Sequence, residues 1–98
     1  MDSLLRKIEV LKAMAHPVRI KILEDLAKGV KCVSDFEEFL GISQSNISQH
    51  LSILRANNVI DYFIDGRLRC YFLVNSMALD IIETLEKELK PLPAGMLC

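Results

Sequence analysis

A small, mainly helical domain carrying one β-hairpin is the fold that this sequence predicts, on three observations. Apolar residues recur at helical spacing in five separate stretches of the 98-residue chain. Two β-rich runs flank Asp65-Gly66 between residues 59 and 74. Pro17, Gly29, Gly41 and the pair Asn57-Asn58 stand where helices must start or stop.

Each element follows from its residues. Residues 3–14 make a first helix with Leu4, Leu5, Ile8, Leu11 and Met14 along one side. Pro17 opens a second helix, expected over 17–28, because its fixed φ suits a first helical position. Val18, Ile22, Leu23 and Leu26 face the core there, and Gly29 ends the helix. A shorter helix at 33–40 sets Phe36, Phe39 and Leu40 at core spacing, and Gly41 closes it in the left-handed conformation. Gly41-Ile42 is then a turn, and Ser43 caps a fourth helix running to residue 56, with Ile47, Leu51 and Leu54 as its apolar stripe. Asn57-Asn58 closes that helix, since asparagine tolerates a left-handed backbone almost as glycine does. The hairpin turns at Asp65-Gly66, so that Arg67 and Arg69 share one face of its second strand. A last helix over 77–90 carries Ala78, Ile81, Ile82, Leu85 and Leu89.

The fourth helix holds the functional signal. Its exposed side presents Gln44, Ser45, Ser48, Gln49 and Ser52 with Asn46, where an ordinary surface helix would carry Glu, Lys and Arg in i,i+4 pairs. Short hydrogen-bonding side chains allow close approach to a groove, and Gln and Asn pair bidentately with adenine edges. A short helix, a tight glycine turn and a polar-faced second helix make a helix-turn-helix, and a hairpin directly after it is a wing. The predicted architecture is a winged helix-turn-helix of order α1-α2-α3-α4-β-β-α5. Candidate DNA contacts are Ser43, Gln44, Ser45, Asn46, Ser48, Gln49, His50 and Arg55, with Arg67 and Arg69 of the wing reaching phosphate or the minor groove. The plainer alternative is a solvated polar helix beside solvated arginines.

Three blocks, HPVRIKILEDL at 16–26, ISQSNISQHLSILRANNVI at 42–60 and DGRLRCYFLVN at 65–75, resemble in order and spacing the signature blocks of the ArsR/SmtB family of winged-helix repressors. The resemblance runs from about Leu4 to Leu89 and implies a homodimer that binds an operator and is released by a metal ion, a metalloid or a reactive small molecule. Asn58 stands where the family usually has glycine. Arsenic-sensing relatives begin the third helix with a Cys-x-Cys pair; this chain keeps Cys32 and has Ser34 in the second place, and a hydroxyl is a poor ligand for a soft ion. Relatives that sense zinc or nickel use Asp, His and Glu on the last helix, and residues 77–90 contain no histidine. One reading therefore joins Cys32 to Cys98 of the tail, within or across a dimer, as a thiolate site for arsenite or another soft ion, or as a redox-switched disulfide. Modification of Cys70 in the wing strand is a second reading, and simple burial of all three cysteines a third. His16 and His50 read as structural.

Composition sets outer bounds. Length allows one domain, residues 1–90, with a tail at 91–98. A domain of this size has little core to spare, so the apolar first and last helices are expected to pair across a two-fold axis through Leu4, Leu5, Ile8, Leu11, Ile81, Ile82, Leu85 and Leu89. Such pairing sets two reading helices about one DNA turn apart and implies an inverted-repeat operator of double-stranded DNA. The net charge of −1 is not the basic balance of a strong non-specific binder, but a specific dimer needs only local positive charge, which Arg55, Arg67 and Arg69 supply. An odd count of 3 cysteines without an export signal argues against a secreted disulfide framework, and no apolar run is long enough for a bilayer, so a cytoplasmic protein with no membrane partner is expected. No nucleophile–base arrangement and no phosphate-cradling glycine loop points to an enzyme. A DNA binder without ligand sensing and a winged-helix protein-interaction module are the rival functions.

Overall fold

Helix ends in this chain are set by side chains that satisfy orphan backbone groups. In the computed structural model, which describes residues 2–96, the Nδ1 of His16 accepts the Val18 N–H at 3.1 Å. The Ser43 Oγ accepts the Asn46 N–H at 3.2 Å, and the Asn75 Oδ1 accepts the Ala78 N–H at 3.0 Å. Each such cap is worth about 0.5–2 kcal/mol. The helices so bounded are α1 (Asp2–Met14), α2 (Pro17–Leu26), α3 (Val33–Leu40), α4 (Gln44–Ala56) and α5 (Ser76–Leu85). Gly41, at φ 67°, ends α3, and Asn58, at φ 58°, follows α4, so both left-handed positions expected from the sequence are present.

One core binds these helices. Met14, Ile22, Leu23, Phe36, Ile82 and the α4 stripe of Ile47, Leu51 and Leu54 are fully enclosed, together with Val59 and Ile60. Full burial of a side chain this size contributes about 1.5–3 kcal/mol, so the stripe anchors α4 firmly with its polar side outward.

A three-stranded sheet stands beside the helices: β1 (Lys31–Cys32), β2 (Ile60–Asp65) and β3 (Leu68–Leu73), in the order β1-β3-β2 and antiparallel throughout. The strand β1 adds to the predicted order; at two residues it is too short to show alternation. Asp65 pairs with Leu68, so the turn is Gly66-Arg67 and not Asp65-Gly66. Gly66 takes φ 64°, and a two-residue hairpin turn with glycine at its first central position follows the twist of the strands. Arg67 therefore lies in the turn, not on the strand with Arg69.

Other boundaries also move. Helix α2 stops at Leu26, two residues short of the predicted end, with the Ala27 N–H bonded back to the Leu23 carbonyl. Helix α5 stops at Leu85, not at residue 90. Its last turn has no basic residue, Glu83 and Glu86 oppose the helix dipole, and Pro91 disfavours helical backbone at residue 90. Leu89 thus lies beyond the helix, fully exposed. Phe39, expected in the core, is 64% exposed and borders a groove with Lys21 of α2 and Lys28 just beyond that helix.

Helices α1 and α5 are neighbours. Val10, Ala13 and Met14 turn α1 to the core, while Leu4, Leu5, Leu11 and Leu85 are exposed and Ile8 and Ile81 half-buried. Ile82, predicted at a dimer face, is wholly enclosed in its own chain's core and has no surface to offer a partner.

Candidate nucleic-acid interface

The polar side of α4 faces the wing across a groove. Gln44, Ser48 and Ser52, four residues apart along the helix, line it with Arg67 and Arg69 opposite. Ser45, Asn46 and Gln49 are exposed on the adjoining outer side of α4. Ser43 is spent on the cap, which leaves its hydroxyl proton free to donate, and the first-turn N–H groups of α4 point the same way as a favourable end for anions. Among the described residues neither Arg67 nor Arg69 has an ion pair, so both keep their full charge for a partner. Glu37 of α3 is the acid that borders this groove.

Arg55 differs from the expectation of a free cation. Its Nε donates to Asp61 Oδ1 at 3.0 Å, and that bond, followed by the Tyr62 N–H, holds the Asp61 carboxyl below its usual range. Both side chains are half exposed, so water screens the pair and its contribution to stability is small. The arrangement instead positions charge. The Arg55 guanidinium lies 4.5 Å from the centre of the Tyr62 ring and that of Arg69 4.8 Å from it. Tyr62, half-buried on β2 and tilted against Tyr71 with ring centres 5.4 Å apart, gathers one arginine from the helix and one from the wing. Sequence reading missed Tyr62 and Asp61, because an aromatic in a β-rich run is most simply a strand former; the interval from Arg55 to Asp61 spans a helix end and a turn that only the folded chain closes.

His50 is turned inward. Its Nδ1 accepts the Arg19 Nε–H at 3.1 Å, while Arg19 also donates to the Ala13 carbonyl, and its ring lies 4.6 Å from that of His16. The neutral ring carries its proton on Nε2. Burial, then His16 and Arg19, lower the His50 pKa from its ordinary value. Both histidines thus serve the joint between α1, α2 and α4, the structural role read from the sequence, and the bonds of His50 leave only Nε2–H for a DNA contact.

The cysteines pair unexpectedly. Cys32 and Cys70 oppose one another on β1 and β3 with their sulfurs 3.6 Å apart. Cys98 lies outside the described residues, and with it the expected pairing to Cys32. Among the described residues no three His, Cys, Asp or Glu side chains converge to hold a metal ion. Among the described residues the thiols that come together are two, Cys32 and Cys70. No helix among the described residues is long and apolar enough to cross a membrane.

Comparison with known proteins supports this fold. Residues 16–62 match the model of a family described as bacterial regulatory protein, arsR family. The chain is 39% identical over 75 residues to nodulation protein NolR of Rhizobium meliloti, an alignment covering 76% of this chain and 62% of that protein. It is 39% identical over 67 residues to the HTH-type transcriptional repressor SmtB of Mycobacterium tuberculosis, covering 68% of this chain and 50% of the repressor. The chain thus spans less than two thirds of both relatives. Among solved structures, the transcriptional repressor PagR of Bacillus anthracis superposes with a TM-score of 0.79 at 36% identity, over 85% of this chain and 95% of PagR.

Proposed function

Since the chain belongs to the arsR family of bacterial regulatory proteins, we propose that it is a sequence-specific, DNA-binding transcriptional repressor, not an enzyme, that acts in the cytoplasm as a homodimer and leaves its operator on a thiol-reactive signal. The observation that carries this reading is the groove in which Gln44, Ser48 and Ser52 of α4 face Arg67 and Arg69. Helix α4 enters the major groove with Gln44, Ser45, Ser48 and Gln49 toward base edges, and Arg67 and Arg69 hold phosphate. Ser43 and Asn46 sit at the helix start, where phosphate meets the N–H groups. Arg55, tied to Asp61, is a lesser contact.

The exposed apolar side chains of α1 and of the end of α5 support a two-fold dimer, since Leu4, Leu5, Leu11 and Leu85 lie about half exposed on neighbouring helices. Ile8 and Ile81 border that face. The operator is then an inverted repeat with half-sites about one turn apart. Of the signals expected from the sequence, a thiol-reactive one fits best, because two cysteines meet at the base of the wing and no third ligand joins them among the described residues.

Selection from a random duplex pool, followed by anisotropy titration of the enriched sequence, tests the reading. Gln49→Ala should cost about 1–3 kcal/mol on the selected site and little on unrelated DNA. Arg67→Ala should weaken binding to every duplex and lower the salt slope by roughly one phosphate. No enrichment of any sequence, or an Arg67→Ala loss confined to one site, would refute it.

A further inference from the structure

Cys32 and Cys70 are directly opposed residues of an antiparallel ladder. Such residues have Cα atoms about 4.5–5.5 Å apart, inside the roughly 4.4–6.8 Å that a disulfide spans, and here the sulfurs already lie at 3.6 Å. The two thiols differ in access. Cys32 is half-buried and meets solvent, whereas Cys70 is buried, and burial followed by Cys32 itself pushes the Cys70 thiol above its ordinary range. Their place in the fold matters as much. Cys32 precedes α3 and donates its N–H to Asp35 Oδ2 at 2.8 Å, at the start of the helix-turn-helix. Cys70 follows Arg69 in the wing strand. A bond between the sulfurs would tie the start of α3 to the strand that carries a phosphate-binding arginine.

We propose that Cys32 and Cys70 form a dithiol modification site that a hydroperoxide closes to an intrachain disulfide. The Cys32 thiolate attacks one peroxide oxygen; an S–O bond forms, the O–O bond breaks, and the other oxygen leaves, taking up a proton, as water or an alcohol. The Cys70 sulfur then attacks the Cys32 sulfenic acid. The S–S bond forms as the S–O bond breaks, and hydroxide leaves with the Cys70 proton as water. Two electrons pass from the sulfur pair to the peroxide, which supplies the whole oxidation. Two sulfurs complete this product, whereas a structural zinc site takes four ligands and no third is present among the described residues.

The regulatory consequence rests on the DNA-binding reading above. Closing the S–S bond brings the two sulfurs about 1.5 Å nearer and locks β1, at the start of α3, to β3. The groove between α4 and the wing is rearranged, and operator affinity falls roughly tenfold, an ordinary size for coupling between two sites.

The test uses the full chain with Cys98→Ser, so that Cys32 and Cys70 are its only thiols. Equimolar hydrogen peroxide should remove both thiols together, lower the mass by two hydrogens and link the Cys32 and Cys70 peptides within one chain, all reversed by dithiothreitol. On the same background Cys32→Ser should keep its Cys70 thiol, and Cys70→Ser should carry oxygen on Cys32. A Cys70 thiol that still alkylates in denaturant after oxidation, a link between two chains, or stable oxygen addition to Cys32 in the two-thiol protein would overturn the site. Anisotropy with the selected duplex reads the consequence separately. Failure of the reduced protein to bind any duplex overturns the DNA reading and leaves the mass result standing; a disulfide that shifts affinity by less than about twofold overturns the regulatory step.

Discussion

Asn58 separates a backbone effect from every side-chain effect. It stands at φ 58° directly after α4, its N–H donates to the Arg55 carbonyl at 3.1 Å, and its carbonyl accepts from the Asn75 Nδ2 at 3.3 Å. Its side chain is exposed and, among the described residues, makes no hydrogen bond, so Asn58→Ala removes little packing and leaves both backbone bonds available. What changes is the cost of left-handed backbone, about 1–2 kcal/mol for an ordinary L-residue and partly relieved for asparagine. Asn58→Ala should therefore lose about 1 kcal/mol, a fall of roughly 4–8 °C in Tm for a domain of this size. Asn58→Gly sheds the same steric cost but adds about 0.5–1 kcal/mol of chain entropy to be lost on folding, and should lie between no change and a gain of about 1 kcal/mol. Thermal melts followed by circular dichroism, with urea titrations at one fixed protein concentration, read both variants. An alanine variant as stable as the parent, or a glycine variant as damaged as the alanine one, would refute the argument.

Asn75 joins two elements by capping α5 and donating to the Asn58 carbonyl, so Asn75→Ala should destabilise by about 1–2 kcal/mol in urea, and an unchanged midpoint would count against both bonds. His50 has its folded pKa lowered by burial, then by His16 and Arg19. Its contribution is therefore complete above the unfolded value of about 6.5 and lost as pH falls through that value toward the folded one. The urea midpoint should drop between about pH 7.5 and pH 5, and His50→Gln should flatten the drop. Asp61→Asn takes the formal net charge from −1 to 0 and unties Arg55; affinity for all DNA should rise and the salt slope steepen by up to about one phosphate, as anisotropy at several salt concentrations will show.

Much of the fold was legible because local rules decide it. Gly41, Ser43 and Asn58 each act through the backbone of their own turn, and the Ile47, Leu51 and Leu54 stripe repeats at helical spacing, so α3 and α4 fall where the sequence puts them. Helix ends were harder. The end of α5 depends on a balance between propensity and a run of acids, and a frayed last turn costs little. The hairpin register slipped by one because Asp65-Gly66 and Gly66-Arg67 both suit a tight turn, and strand pairing chose between them. Phe39 was misjudged because α3 buries only Phe36 fully, and helical spacing alone does not say how wide a face is covered.

By itself, then, the sequence determined the helix-turn-helix, the polar side of its second helix and the family, since all of these are written in residues near one another along the chain. Only the tertiary structure decided which side chains meet across it: Tyr62 between Arg55 and Arg69, His50 under Arg19, Ile82 inside its own core, and Cys32 against Cys70. The two cysteines, for example, are 38 positions apart. Spacing and propensity act over a few residues, whereas contacts at that range exist only once the core and the sheet have brought the segments together.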